Sequence, residues 1–151
     1  RDQIDLFCKQ IELAIEFNKP IVVHSRDAIN DTYDIIKKYN YGSHTLIHCF
    51  SSSLEMAKEF IKLGCILGIG GVLTFKNSDK LKKVVTGVDL SSLVLETDSP
   101  YLTPVPFRGE RNEPYNILYV AKEISSLTGI SLDDVLKITS DNACKFFAFS
   151  L

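Results

Sequence analysis

The chain has 151 residues and a formal net charge of −2, with 45% hydrophobic and 24% charged residues, the balance of an ordinary folded domain with one core. No apolar run approaches the roughly 20 residues that cross a bilayer, so a membrane partner is not expected, and no basic stretch leading into an apolar one resembles a secretory signal. The slightly acidic balance excludes a broad basic surface of the kind that grips nucleic acid through many phosphate contacts, so bound cations would have to supply much of the attraction for a phosphate substrate.

In chain order, Ile4, Phe7, Ile11, Ala14 and Ile15 recur at steps of three and four and predict an amphipathic helix ending near Asn18, ahead of Pro20. Residues 21–23 form a β-branched run too short for a helix and read as the first strand. Ala28, Ile29, Ile35 and Ile36 support a second helix, and 45–47 a second strand. Ser52 with Glu55 is a capping-box pattern that opens a third helix, which Gly64 closes after Leu63. A third strand over 65–69 is followed by Gly70 and Gly71, which let the backbone pass close to a ligand or a neighbouring strand, and no ligand residue is expected from this strand. Residues 78–86, closed by Gly87, read as a fourth helix with Leu81, Val84 and Val85 apolar, and 93–95 as the fourth strand. A long loop over 99–112 then leads to helices at 115–128, closed by Gly129, and at 131–140, with a short terminal helix through Phe146 and Phe147.

Strands alternating with helices at a spacing of roughly 25 residues point to βα units and a parallel sheet. Because a (β/α)8 barrel needs eight strands and about 250 residues, the expected fold class is α/β, the C-terminal half of a TIM barrel, with residues 1–151 as a single partial domain. The opening residue is Arg1, not Met, and a native start is expected upstream of it. A small open sheet with helices on both faces is the alternative.

Polar residues fall at the strand ends. His24 ends P-I-V-V-H, His48 ends T-L-I-H and Asp98 ends L-V-L-E-T-D. In a parallel βα array all carboxyl ends open onto one face, so these three converge despite their separation in sequence. Two imidazoles and a carboxylate suit Zn²⁺, Mn²⁺ and related ions. On residue types alone, a metal site and hydrogen-bonded structural histidines both stay open. His44 precedes its strand in a turn and reads as a solvent-exposed loop residue. Cys49, next to His48, is read as pointing to the other side of its strand and packing there. The cysteines Cys8, Cys49, Cys65 and Cys144 form no C-x-x-C pair, which favours apolar filling in a reducing compartment, and a cytoplasmic or nuclear location is expected.

The segments P-I-V-V-H-S-R-D-A (20–28), H-C-F-S (48–51), I-G-G-V-L-T-F-K-N (69–77), L-E-T-D-S-P-Y-L (95–102) and P-F-R-G-E-R-N-E-P (106–114) together resemble the TatD deoxyribonuclease family, in the family's own order and over essentially the whole chain. The resemblance implies a (β/α)8 barrel that hydrolyses DNA phosphodiester bonds, by analogy exonucleolytically, with two divalent ions (Mg, Mn or Zn). It matches His24, His48 and Asp98 to metal ligands. It also implies an H-x-H pair and a bridging Glu in an N-terminal half that is not in this sequence, so that the segment alone is expected to be inactive. Asn30, Ser52 and Asp89 depart from the family's usual wording, and none is a matched ligand.

Lesser roles follow. Asp98 can be both ligand and base for the attacking water. Glu96, two residues earlier on the strand face, is a catalytic-site residue expected to orient the site from behind the ligands. Arg26 can clamp a phosphate or form a plain salt bridge to Asp27 or a neighbouring carboxylate. Arg108, Arg111 and Asn112 are candidate contacts to a DNA backbone. Two other functions stay open: hydrolysis of some other ester or amide, and a non-catalytic binding fragment.

Overall fold

A computed structural model describes residues 2–148. Four parallel strands, β1 (Ile21–His24), β2 (Thr45–His48), β3 (Ile66–Ile69) and β4 (Leu93–Leu95), lie side by side in sequence order. Six helices connect and flank them: α1 (Asp2–Glu16), α2 (Ile29–Tyr39), α3 (Leu54–Lys62), α4 (Asp79–Gly87), α5 (Ile117–Thr128) and α6 (Leu132–Phe147). The parallel sheet and its alternating helices agree with the reading of the sequence. β1 and β2 each run one residue further than expected, so His24 and His48 are the last residues of their strands.

The register separates the two faces of the sheet. Ile47 pairs with Leu67, and Leu67 with Leu93, while His24 pairs with His48 and Gly68 with Val94. Since side chains alternate along a strand, the odd-numbered residues Val23, Ile47, Leu67, Ile69 and Leu93 share one face. They form the main core with Ile36, Phe60, Val84, Ile124 and Val135 from the helices. Fully burying each such side chain contributes about 1.5–3 kcal/mol. The even-numbered residues, among them His24, Leu46, His48, Gly68 and Val94, face the other way.

Two helix boundaries and the surroundings of one histidine differ from expectation, each for a local reason. The N-cap of α3 is Ser53, whose Oγ accepts the Met56 N–H at 3.3 Å, so Glu55 sits one position too early to complete a capping box with the observed cap, and the Ser52 box does not form. The two C-terminal helices expected at 131–140 and at Phe146–Phe147 are one, α6, capped by Ser131, whose Oγ accepts from the Asp134 N–H. Asn142 on α6 donates to the carbonyls of Leu90 and Leu93, both at 2.8 Å, which ties the middle of the helix to the start of β4. His44 is half-buried and stacks on Tyr41, ring centroids 4.8 Å apart, because a short 3-10 turn over Gly42–His44 folds it back.

Gly71 opens a 3-10 turn, Gly71–Thr74, where a Cβ would run into the Leu102 carbonyl. The close approach expected of the glycine pair is therefore to the 99–112 loop. Among the described residues no helix is long and apolar enough to cross a membrane.

Candidate metal centre

The carboxyl ends of the strands hold the polar cluster. β1 and β2 place His24 beside His48 in register, ring centroids 5.7 Å apart. Beyond β4 the ladder continues for one residue, with the Glu96 N–H donating to the Ile69 carbonyl at 3.0 Å, which keeps Glu96 on the even-numbered face. From there its carboxylate accepts two hydrogen bonds. His48 Nδ1 donates to Oε2 at 2.8 Å, and the Cys49 N–H donates to Oε1. The opposite edge of the same imidazole, Nε2, lies 3.0 Å from Asp98 Oδ1. His48, Glu96 and Asp98 each present a ligand atom within 4.8 Å of the others.

The sequence reading of His24, His48 and Asp98 thus meets a structure that brings all three to one end of the sheet. Glu96 lies on the far edge of the imidazole from Asp98. A carboxylate holding Nδ1–H fixes the ring and directs the Nε2 lone pair outward, the usual arrangement behind a metal-bound histidine. Burial pushes the Glu96 carboxyl above its usual range, against the pull of His48 and the Cys49 amide. The clustered donors, the His48 imidazole with the Glu96 and Asp98 carboxylates, fit a divalent ion and are partly open to solvent, and His24 lies beside them outside this cluster. Side-chain exposures of 27% for His48 and 22% for Asp98 leave room for a ligand to approach.

Cys49 differs from its expected packing role. It has a left-handed backbone, φ 47°, which costs a β-carbon residue about 1–2 kcal/mol. Burial, followed by the Asp98 charge, pushes its thiol up to about 12. Asp27 and Asp98 are also left-handed, both at φ 54°, so the exits of β1, β2 and β4 all turn in a conformation that concentrates at functional sites. No periodicity in the sequence reports such a turn.

The loop residues divide. Asn112, read as a DNA contact, is 2% exposed. Its Nδ2 donates to the carbonyls of Thr97 (2.6 Å) and Tyr101 (2.7 Å), and its Oδ1 accepts from Asn116. Asn112 therefore holds the loop against the exit of β4 and has no donor left for a substrate. Arg108 and Arg111 are exposed. The Arg108 guanidinium lies 3.9 Å over the Phe75 ring, and Arg111 Nε is 3.8 Å from Glu113. Arg26 is exposed just past His24. Beside His48 a cleft of about 230 Å³ opens between Ser25, Asp27, Ser51 and Lys80. A larger groove of about 960 Å³ follows β1, between α1 and α2, and ends at His24 and Arg26.

Comparison with known proteins agrees with this geometry. The family described as TatD related DNase matches residues 1–148. The chain is 42% identical over 146 residues to YabD of Bacillus subtilis and 36% identical over 146 residues to YcfH of Escherichia coli K12, each described as an uncharacterized metal-dependent hydrolase, and in both cases 96% of this chain is covered. It spans 57% and 55% of those relatives, a little over half their length. The crystal structure of YjjV, a TatD homologue from Escherichia coli K12, superposes with a TM-score of 0.87 at 28% identity over 93% of this chain and 54% of that one. A TatD family hydrolase from Entamoeba histolytica shares the fold, with a TM-score of 0.78 at 22% identity over 89% of this chain and 53% of that one. On the family match and these relatives, the chain belongs to the TatD family of metal-dependent hydrolases.

Proposed function

We propose that the protein carrying this chain is a metal-dependent deoxyribonuclease that hydrolyses phosphodiester bonds exonucleolytically, and that His24, His48 and Asp98 are ligands of its divalent ions. The observation that carries the reading is the convergence of these residues on one end of a parallel sheet, with His48 Nε2 3.0 Å from Asp98 and its Nδ1 held by Glu96. A divalent ion there would polarise a phosphoryl oxygen and generate hydroxide near neutral pH. The residues of the chain do the rest. Glu96 keeps the Nδ1 proton of His48 and so fixes which nitrogen faces the site. Asp98 accepts the proton of the attacking water. Arg26, Arg108 and Arg111 bind backbone phosphates of the DNA.

The chain is, in this reading, the C-terminal half of a (β/α)8 barrel. Two features support it: the sequential parallel order of the strands, and the apolar groove along β1 where Val22, Leu13 and Phe17 are exposed, as expected of a strand whose barrel neighbour lies elsewhere in the protein. The H-x-H pair and bridging Glu of a two-ion site would come from that other half. Four free cysteines support a reducing compartment, the cytoplasm or nucleus.

In the full-length protein, replacing His24, His48 or Asp98 singly with Ala is expected to lower both bound divalent metal and hydrolysis of a DNA oligonucleotide at least about tenfold, the effect of a lost metal-site residue. Metal analysis of the purified variants and a gel assay measure the two. Full activity in all three variants would remove the assignment, and metal loss with no hydrolysis of DNA by the wild type would keep the metal site and move the substrate to another ester or amide.

A further inference from the structure

Glu96 and His48 lie on strands that are not neighbours. β3 stands between β2 and β4, and strands two apart are separated by about 10 Å. The carboxylate nonetheless bonds the imidazole at 2.8 Å, so it crosses the face of β3. The residue it crosses is Gly68. Gly68 pairs with Val94 on β4, and the register Ile47 to Leu67 places it beside His48 on β2. A Cβ built on Gly68 would stand 2.8 Å from Glu96 Cδ and closer still to Oε2, well inside van der Waals contact. Gly70, the next residue on the same face, is different, because a Cβ there would meet Glu96 Cγ at 3.6 Å, an ordinary contact.

We propose that Gly68 is a positioning residue of the metal centre: its missing side chain is the notch through which Glu96 reaches across β3 to hold His48 Nδ1 and the Cys49 amide. The role rests on the reading of this cluster as a metal site. No requirement for a special backbone conformation explains the glycine, since Gly68 lies within a regular strand and its φ is not in the left-handed region. The atoms that an added methyl would strike belong to the end of a flexible side chain, so the strand can keep its place while the carboxylate moves. Once displaced, Glu96 loses both hydrogen bonds, and the His48 ring loses the acceptor that fixes its orientation.

The experiment uses the full-length protein with ¹⁵N-labelled histidine. In the metal-free wild type, the Nδ1–H of His48 should give a protected, downfield proton resonance, and titration with Zn²⁺ should give a reference affinity. Gly68→Ala should abolish that resonance and weaken Zn²⁺ binding about tenfold, with an unchanged far-UV spectrum. Gly70→Ala should keep the resonance and the affinity. In a Glu96→Ala background, adding Gly68→Ala should change the affinity by less than about twofold, since the group it displaces is gone.

Retention of the resonance in Gly68→Ala overturns the proposal, and so does an equal loss of affinity in the two backgrounds. Should Gly68→Ala fail to fold, the double variant decides: if it folds, Glu96 was the obstacle, and if it does not, Gly68 serves the strand and not the carboxylate. Because the resonance and the Zn²⁺ affinity are read without DNA, a wild type that cleaves no DNA refutes the proposed substrate and leaves this test intact, whereas one that binds no Zn²⁺ while keeping the resonance refutes the metal-site reading and shows Gly68 positioning Glu96 alone.

Discussion

Asn112 and Arg108 belong to one loop and serve it in opposite ways. The amide of Asn112 satisfies the carbonyls of Thr97 and Tyr101 from a buried position, and removing it leaves two acceptors facing a dry gap, which costs about 1–3 kcal/mol. Asn112→Ala is therefore expected to lower the melting temperature of the full-length protein and, by loosening the segment that follows Asp98, its turnover as well. Arg108 instead lies over the Phe75 ring with its side chain exposed, a contact of about 0.5–1 kcal/mol. Changing Arg108 and Arg111 together to Ala is expected to cost little stability, raise KM for DNA, flatten its salt dependence and leave kcat within a few fold. Steady-state kinetics at several salt concentrations read these quantities, and a collapse of kcat at constant KM would instead place an arginine on the reacting phosphate.

Single elements show what sequence patterns resolve and what they do not. Ser51, Ser52 and Ser53 are consecutive, and pattern alone favours Ser52 because Glu55 follows three residues later. The chain starts α3 one residue on, and Ser53 accepts from Met56. Ser53→Ala should thus destabilise by about 1 kcal/mol, as loss of a helix cap does, with Ser52→Ala close to neutral, as urea titration of the two variants would show. Apolar period and strand-end punctuation were enough to locate all four strands and the face that carries His24, His48 and Glu96, because each depends on local alternation and on the polarity of a parallel array. Three features escaped. Cys49 turns left-handed at the end of β2 and feels the Asp98 charge. The burial of Asn112 depends on a loop folding back over 15 residues to the Thr97 carbonyl. Gly68 gains meaning from a side chain that crosses it on the way from the end of β4 to β2. All three are long-range or conformational, and neither period nor propensity encodes them.

At the scale of the whole molecule, the sheet and the metal cluster make the same demand. β1 and β4 each pair on one side only among the described residues, and the groove along β1 leaves Phe17 60% and Val22 53% exposed. An open strand edge beside exposed apolar side chains invites association. The site is similarly partial. On the proposed assignment His24, His48 and Asp98 offer three ligands with Glu96 behind His48, fewer than a two-ion centre would need to clamp both the attacking and the leaving oxygen. These 151 residues, expressed alone, are accordingly expected to dimerise or aggregate, and to hydrolyse a DNA oligonucleotide at least about a thousandfold more slowly than the full-length protein, a loss typical of a dismantled active site. Adding a separately produced N-terminal half should restore part of the activity if the groove along β1 is where that half docks. Light scattering on the purified segment and a metal-supplemented nuclease assay with and without the other half give both answers. A monodisperse monomer with turnover near that of the full-length protein would mean that the β1 edge needs no partner and that these ligands suffice.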